Sequence, residues 1–285
     1  MRRIALLLAI MAAAPGLAAP PPPPVPAPLP VPAQIDALIA AGDLDAAGAL
    51  IERSAATLTP AEIGLARADQ ALAAGHAEAA LAGYTALADR GERSARVQLG
   101  IGLAQLSLGH ETAAATALDG AVVADPTLVR AWVARGVAAD RLRDWTAADL
   151  AYGRALALDS RSAAALANRG YSRLLRGHFA DSVADSAAAL AIDPKLAVAA
   201  NNLRLARALQ GDYKTAFAGS TKATLVADLN TVGFAAMSRG DYSTAETFFT
   251  RAMHLSPQFD KTAWDNLVYL KQLTHAPADA GAATR

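Results

Sequence analysis

Three histidines come nearest to a metal site in residue type and spacing. His76, His110 and His178 each follow a glycine, and their separations of 34, 68 and 102 residues are all multiples of 34. Histidine nitrogens bind Zn²⁺ at about 2.0 Å, so three rings would have to converge on one ion. A constant spacing instead places each histidine at the same point of a repeated unit, and stacked helices are about 10 Å across. The spacing therefore predicts three separate turn residues.

The other candidates for chemistry also have a structural explanation. The run Gly100-Ile101-Gly102 resembles part of a dinucleotide-binding loop, but a third glycine and a preceding strand are missing. Serine, histidine and aspartate occur without a glycine-flanked nucleophile elbow, and the carboxylates form no convergent pair. The chain has no cysteine, which excludes disulfides, thiolate ligands and a cysteine nucleophile. We therefore predict a chain that is not an enzyme and that uses no cofactor and no metal.

The overall charge argues against a polyanionic partner. The formal net charge is zero, 53% of the residues are apolar and 18% are charged. Nucleic-acid binding and attraction to anionic lipid both require clustered positive charge. We therefore expect no nucleic acid among the partners.

A period of 34 residues organises most of the chain. Small residues and turn glycines recur at this spacing, which is typical of helix-turn-helix units that bury their apolar faces only by stacking on neighbours. The interior glycines Gly83, Gly120, Gly153 and Gly219 are expected to permit close helix contact. The clearest recurrence is of Trp132, Gly136, Trp145, Ala148, Tyr152 and Ala155 as Leu166, Gly170, Phe179, Ser182, Ser186 and Ala189.

These residues resemble those of the tetratricopeptide repeat (TPR) family. The resemblance implies an all-α fold, in which antiparallel helix pairs form a right-handed superhelical solenoid. Arg204 departs from the pattern, since the family has a small residue there. Trp145, Phe179, Tyr213 and Tyr242 share one repeat position and are expected to stack as a column. Full repeats are predicted at 61–94, 95–128, 129–162, 163–196 and 226–259, with 197–225 shortened at the end of its second helix.

The two ends of the chain differ from the repeats. Residues 1–19 carry two arginines, a short apolar run and a small-x-small site, which predicts a cleaved secretory signal. Residues 20–33 are rich in proline and are expected to act as an extended spacer. We therefore divide the chain into a signal peptide (1–19), a proline-rich linker (20–33), a solenoid with a C-terminal capping helix (34–273) and a flexible tail (274–285). The first helix is predicted to begin near Ile35.

In TPR proteins the first helix of each repeat lines most of the concave groove. Carried over by register, this face includes Leu99 and Leu103 in its apolar part. Asparagines suit the backbone of an extended peptide, and aromatic rings can hold its side chains. For Phe234 the alternative, that the ring only fills the narrow inside of the superhelix, stays open. The expected partner-binding residues are Arg130, Asn168, Tyr171, Asn201, Asn230 and Phe234.

Some TPR proteins hold a terminal carboxylate through lysines and asparagines on successive repeats. In this chain the corresponding positions are apolar, so binding of such chaperone tails is disfavoured. The positions carry Leu65, Leu99, Val133 and Ala167.

A narrower resemblance comes from the last third of the chain. This part of the chain resembles the TPR component of bacterial tight-adherence (Flp-type) pilus assembly in the runs Asn201-Asn202-Leu203, Leu229 to Gly233, Gly240-Asp241-Tyr242 and Ser256-Pro257. That resemblance implies a periplasmic or outer-membrane-associated factor of a Gram-negative bacterium, with secretin or pilus components as partners. Members of that family are often lipoproteins, whereas this chain has no cysteine for lipidation.

Together these patterns predict an exported, non-catalytic scaffold or adaptor that binds protein partners in its concave groove. Two alternatives stay open. One is a structural module that self-associates into homo-oligomers. The other is an accessory protein that binds cell-wall glycan or peptide, with Trp132, Tyr171 and Phe234 as stacking rings. Whether the proline-rich segment fills the groove also stays open.

Overall fold

The computed structural model describes residues 29–275. This part of the chain forms fifteen α-helices and no strand. The predicted signal peptide, linker residues 20–28 and tail residues 276–285 lie outside the described residues. In chain order the helices are α1 (Val31–Ala41), α2 (Leu44–Arg53), α3 (Pro60–Ala73), α4 (Ala77–Asp89), α5 (Ala95–Ser107), α6 (Glu111–Ala124), α7 (Val129–Arg141), α8 (Trp145–Leu158), α9 (Ala163–Leu175), α10 (Phe179–Ile192), α11 (Ala197–Leu209), α12 (Tyr213–Ala216), α13 (Leu225–Ser238), α14 (Tyr242–Leu255) and α15 (Lys261–His275).

The helices pack as successive pairs, and each pair stacks on the next. The odd-numbered first helices contact one another along the array, from α1 against α3 to α13 against α15. Among the described helices, consecutive second helices such as α4 and α6 make no comparable contact. The array therefore curves with the first helices on its inner side, where the spacing between repeats is shorter.

Local signals in the sequence set where the helices begin and end. Aspartate or serine side chains cap the amino ends of seven helices, as where Asp144 accepts from the backbone N–H of Ala147. Turn glycines such as Gly75 and Gly177 take left-handed φ angles of 80° and 78°. Arg143 occupies the same turn position between α7 and α8 with φ 58°. The capping residues are Asp43, Ser94, Asp144, Ser162, Asp212, Asp241 and Asp260.

The helices extend beyond both predicted ends of the solenoid, residues 34 and 273. Helix α1 begins at Val31, so residues 31–33 of the expected linker are helical, and Ile35 lies within α1 rather than at its start. Pro32 is tolerated there because the first turn of a helix leaves its N–H groups unpaired. At the other end α15 continues to His275, so the first two residues of the segment predicted as a flexible tail are helical.

Small residues on the first helix allow a large second-helix side chain to pack against the backbone. A Cβ atom added at Gly136 would lie 2.5 Å from the Tyr152 ring, and one at Gly233 would lie 2.7 Å from the Phe249 ring. Both rings are fully buried. The repeat pattern therefore marks real close contacts between the paired helices.

The expected aromatic column does not form. Within the described residues, no ring contact joins any two of Trp145, Phe179, Tyr213 and Tyr242. Tyr213 contacts Phe248 of α14 with ring centroids 5.8 Å apart, and the Arg176 guanidinium lies 5.7 Å from the centre of the Trp145 ring. Trp145, Phe179 and Tyr213 are partly buried and Tyr242 is exposed, so the four rings have different surroundings.

The shortened repeat has lost almost all of its second helix. Only one turn, α12, remains, and α11 packs directly against α13. The Arg204 guanidinium occupies this part of the core, where its Nη1 atom lies 3.0 Å from Asp228 Oδ1. Thr224 donates to the other carboxylate oxygen at 2.9 Å. In the following repeat the ring of Phe249 packs on Gly233 at this position, so the large Arg204 compensates for the missing helix.

Candidate binding groove

The first helices form one continuous inner layer, and its two halves differ in chemistry. The half built by α1, α3, α5 and α7 contains a cavity of about 900 Å³. The half built by α9, α11, α13 and α15 instead presents exposed apolar and aromatic side chains. We call these the amino-terminal cavity and the carboxy-terminal stripe.

An ionic network at the amino-terminal cavity joins three helices. Arg96 of α5 donates to Asp36 of α1, with Nη1 2.8 Å from Oδ2, and to Asp69 of α3, with Nε 3.2 Å from Oδ2. The hydrogen bond to Asp36, followed by attraction from Asp69, raises the pKa of Arg96. Both carboxylates of the cavity are therefore engaged by one guanidinium.

Tyr84 of α4 joins the same network through Asp69. Its ring is fully buried, and its hydroxyl donates to Asp69 Oδ1 at 2.5 Å. Burial and this hydrogen bond raise the pKa of the Tyr84 phenol, which therefore stays protonated at neutral pH. Tyr84 also lies against Gly100, where an added Cβ would be 2.4 Å from the ring. The Gly100-Ile101-Gly102 run therefore serves helix packing.

Two further arginines line the cavity without a carboxylate partner. Arg130 is exposed and makes no hydrogen bond or ion pair with any described residue. Arg141 donates one N–H to the backbone carbonyl of Leu106 at the end of α5, which leaves its other N–H groups available. With Arg96, three cationic side chains face two aspartates, so the cavity carries an excess of positive charge.

The remaining wall of the cavity is aliphatic. Leu99 and Leu103, which the sequence places in the groove, both line it. Leu99 is only 5% exposed, and it therefore forms the floor. The other large aliphatic side chains of the wall are Ile39, Leu72, Leu106 and Leu128.

The carboxy-terminal stripe contains two of the predicted groove residues as exposed rings. Tyr171 on α9 is 44% exposed and Phe234 on α13 is 50% exposed. They occupy the same repeat position, with Leu205 of α11 between them in register. Half of the Phe234 side chain is accessible to solvent. Leu175, Val198 and Trp264 are further exposed apolar side chains on the first helices of this half.

The three predicted asparagines have different roles. Asn168 is half-buried and donates to the Ala164 carbonyl of its own helix at 2.8 Å. Asn201 is exposed, and its Oδ1 accepts from Arg204 at 3.0 Å. The structure thus places both on the inner layer with part of the amide committed to the fold.

Asn230 packs against the capping helix α15. It is only 9% exposed, and its Nδ2 donates to Asp260, the residue whose other oxygen accepts from the N–H of Ala263 at the start of α15. This differs from the expectation of a peptide-binding amide, because the capping helix covers this face of α13. Asn230 instead fixes the position of α15.

The candidate metal ligands and one candidate sugar platform serve the fold. His76, His110 and His178 sit immediately before α4, α6 and α10, each at a different turn. No group of three His, Asp or Glu residues between positions 29 and 275 is arranged to hold a metal ion. Trp132 packs against the core and donates its indole N–H to the Pro126 carbonyl at 2.8 Å, so its ring is not a free stacking surface.

Comparison with known proteins supports the fold. Neither the protein-family models nor the curated proteins that were searched match this chain. Among solved structures, the Cut9–Hcn1 hetero-tetramer of the APC/C is similar with a TM-score of 0.69 and 15% identity over 84% of this chain. The match covers 48% of that chain, so this protein spans about half of its length.

Two further structures are similar over most of their own length. A tetratricopeptide repeat protein from Parabacteroides merdae matches with a TM-score of 0.56 and 13% identity, covering 85% of this chain and 97% of that one. PilW, described as a type IV pilus biogenesis factor, matches with a TM-score of 0.50 and 20% identity, covering 64% and 87%. At these identities the likeness concerns the fold alone. The chain is therefore an all-α TPR solenoid.

The sequence assigns the first helix of each repeat to the inner layer, but it does not single out the charged amino-terminal cavity. Of the six predicted residues, only Arg130 lies in the amino-terminal cavity. Asp36, Asp69 and Arg96 occupy groove positions on successive first helices, which the repeat register alone could have indicated. Arg141 is the last residue of α7, and only the structure shows that it lines the cavity.

Proposed function

We propose that this protein is a non-catalytic scaffold that binds segments of other proteins in its concave groove. The observation that carries the proposal is the inner layer itself. It presents exposed apolar rings in one half and an open cavity with unpaired arginines in the other. Exposed aromatic and arginine side chains are the types most often found at the energetic centre of protein interfaces.

The test removes the groove contact and leaves the fold in place. Asn168→Ala combined with Tyr171→Ala should reduce the amount of partner captured from a native extract, because a ring that is 44% exposed supplies contact area without supporting the core. Helicity by circular dichroism and the Tm should stay close to those of the original chain.

A matched control changes the outer layer. Val123→Ala with Leu150→Ala removes two second-helix side chains that are 79% and 60% exposed, and it should leave capture unchanged. Equal capture by the groove variant and the original chain would overturn the proposal.

We further propose that the scaffold acts in a bacterial envelope, in pilus or secretion-system assembly. The support is the export signal predicted over residues 1–19 and the sequence resemblance to a tight-adherence pilus component. The described helices from position 31 to 275 include none with the length and apolar character needed to cross a bilayer. Recovery of secretin or pilus subunits by the groove, from envelopes of the native cell, is the expected result.

Self-association is a second candidate, favoured by the last helix. Solenoid ends usually carry a polar outer face, whereas Trp264 and Tyr269 of α15 are 48% and 52% exposed and the preceding Phe259 is 69% exposed. If these side chains join two copies, light scattering should give a mass that rises with concentration, and Trp264→Lys should abolish the rise. A concentration-independent monomer mass would remove this candidate.

A further inference from the structure

The amino-terminal cavity combines positive charge with an aliphatic floor. We infer that it binds an acidic segment of a partner protein, in which a side-chain carboxylate lies next to a large aliphatic residue. This inference rests on the proposed scaffold function and names the chemistry of the segment that the groove takes.

The charge that would bind the carboxylate comes from Arg130 and Arg141. Arg96 is already shared between Asp36 and Asp69, and both of these carboxylates are occupied by it. Arg130 makes no polar contact with any described residue, and Arg141 contacts only the Leu106 carbonyl. The cavity therefore has cationic donors left over and no unpaired carboxylate.

Neighbouring carboxylates do not neutralise these arginines. Asp140 precedes Arg141 in the chain, but it is buried and does not line the cavity. Its two oxygens accept from Tyr152 at 2.8 Å and from Ser172 at 2.6 Å. Asp119, on the outer helix α6, pairs with Arg135. The guanidinium groups of Arg130 and Arg141 are consequently available to solvent and to a ligand that enters the cavity.

The cavity walls select for a peptide rather than a small anion. Leu99, Leu103 and Leu106 give an aliphatic surface next to the guanidinium groups, and the volume of about 900 Å³ exceeds what a simple anion needs. The inner layer continues without interruption toward Tyr171. An extended chain can therefore place a carboxylate on the arginines, an aliphatic side chain on the leucines and its continuation along the stripe.

A pair of designed peptides tests this recognition directly. One peptide alternates leucine and glutamate, and the other alternates leucine and glutamine. Both have an acetylated amino end and an amidated carboxyl end, so only the side chains differ in charge. Fluorescence anisotropy with the full chain should show saturable binding of the glutamate peptide, at least about tenfold tighter than the glutamine peptide, as expected for charge-assisted hydrogen bonds. Added salt should reduce this difference.

The variants assign the effect to the cavity. Arg130→Gln with Arg141→Gln should remove the preference for glutamate, whereas Arg154→Gln with Arg251→Gln makes the same change of charge on exposed outer helices and should preserve it. Because Arg141 also contacts Leu106, Arg130→Gln alone serves as a variant that loses no internal contact and should still reduce the preference.

Three results would each overturn the inference. The two peptides could bind with equal affinity, the glutamate peptide could fail to saturate up to about 1 mM, or the preference for glutamate could survive in the Arg130→Gln, Arg141→Gln chain. The scaffold proposal is tested separately, by capture of native partners through Tyr171. If native partners are still captured through Tyr171 but the glutamate peptide is not preferred, only the acidic-segment inference is rejected and the scaffold proposal stands.

Discussion

Gly136 shows how much of this fold depends on one absent side chain. A Cβ at this position would lie 2.5 Å from Cε1 of the fully buried Tyr152 ring, so either the ring or the helix would have to move. We expect Gly136→Ala to lower the free energy of unfolding by about 1–3 kcal/mol, as overpacked core sites do. Urea denaturation followed by circular dichroism measures the change.

Gly153 provides the matched control on the partner helix α8. It is exposed, and an added Cβ would meet nothing within 4 Å. Gly153→Ala should raise the free energy of unfolding by about 0.5–1 kcal/mol, since alanine has the higher helix propensity. If both substitutions have the same sign, close packing at Gly136 is not what the repeat requires.

Single residues were predictable from the sequence where the repeat register specifies their neighbour. Gly136 follows from register, and Gly83 also meets its partner helix, with a Cβ 3.0 Å from that of Ala68. Two of the interior glycines differ from the expectation of close contact. Gly153 faces open space, and Gly219 lies outside the helices with φ +85°. The identity of a residue does not show which side of its helix it occupies.

At the scale of helices, Arg204 and Asp228 replace a missing element. Both side chains are almost fully buried, at 7% and 4% exposed. Arg204→Ala would leave the Asp228 carboxylate buried without its partner, so we expect a loss of about 3–5 kcal/mol in the free energy of unfolding. Thermal and urea denaturation of the variant measure this loss.

Replacing both partners separates charge from packing. Arg204→Met with Asp228→Leu removes the ion pair and keeps the volume filled, so its stability should lie much closer to that of the original chain. The double variant could instead be as unstable as Arg204→Ala. That result would show that the ion pair itself stabilises the packing of α11 on α13, and that the loss in Arg204→Ala is not due only to an unpaired buried Asp228 carboxylate.

The sequence predicted most helices because caps, turn glycines and the 34-residue period act locally. It predicted that repeat 197–225 is shortened at the end of its second helix. It did not predict that this helix shrinks to the single turn Tyr213–Ala216, because the shorter spacing does not show how much of the helix remains. The exceptional Arg204 was visible in the register. Its role became clear only with Asp228, which lies 24 residues further on in another helix.

At the scale of the whole molecule, the solenoid presents one inner surface with two chemistries. The sequence indicated which helices line it, since the register assigns the first helix of each repeat to the inside. The sequence did not indicate that Arg96 forms ion pairs with two aspartates while Arg130 forms none. Ion pairing between helices depends on the curvature of the array. The sequence likewise did not indicate that α15 buries Asn230, because this burial depends on how the last helix packs.

The most direct test of this account is photo-crosslinking at two positions of the full chain in the native cell envelope. A photo-reactive residue replaces Tyr171 on the inner layer in one chain and Leu150 on the outer layer in the other, and these side chains are 44% and 60% exposed. We expect specific crosslinked protein partners from the Tyr171 position and few or none from Leu150. Equal crosslinking from both positions, or partners from Leu150 alone, would contradict the claim that the concave groove is the binding site.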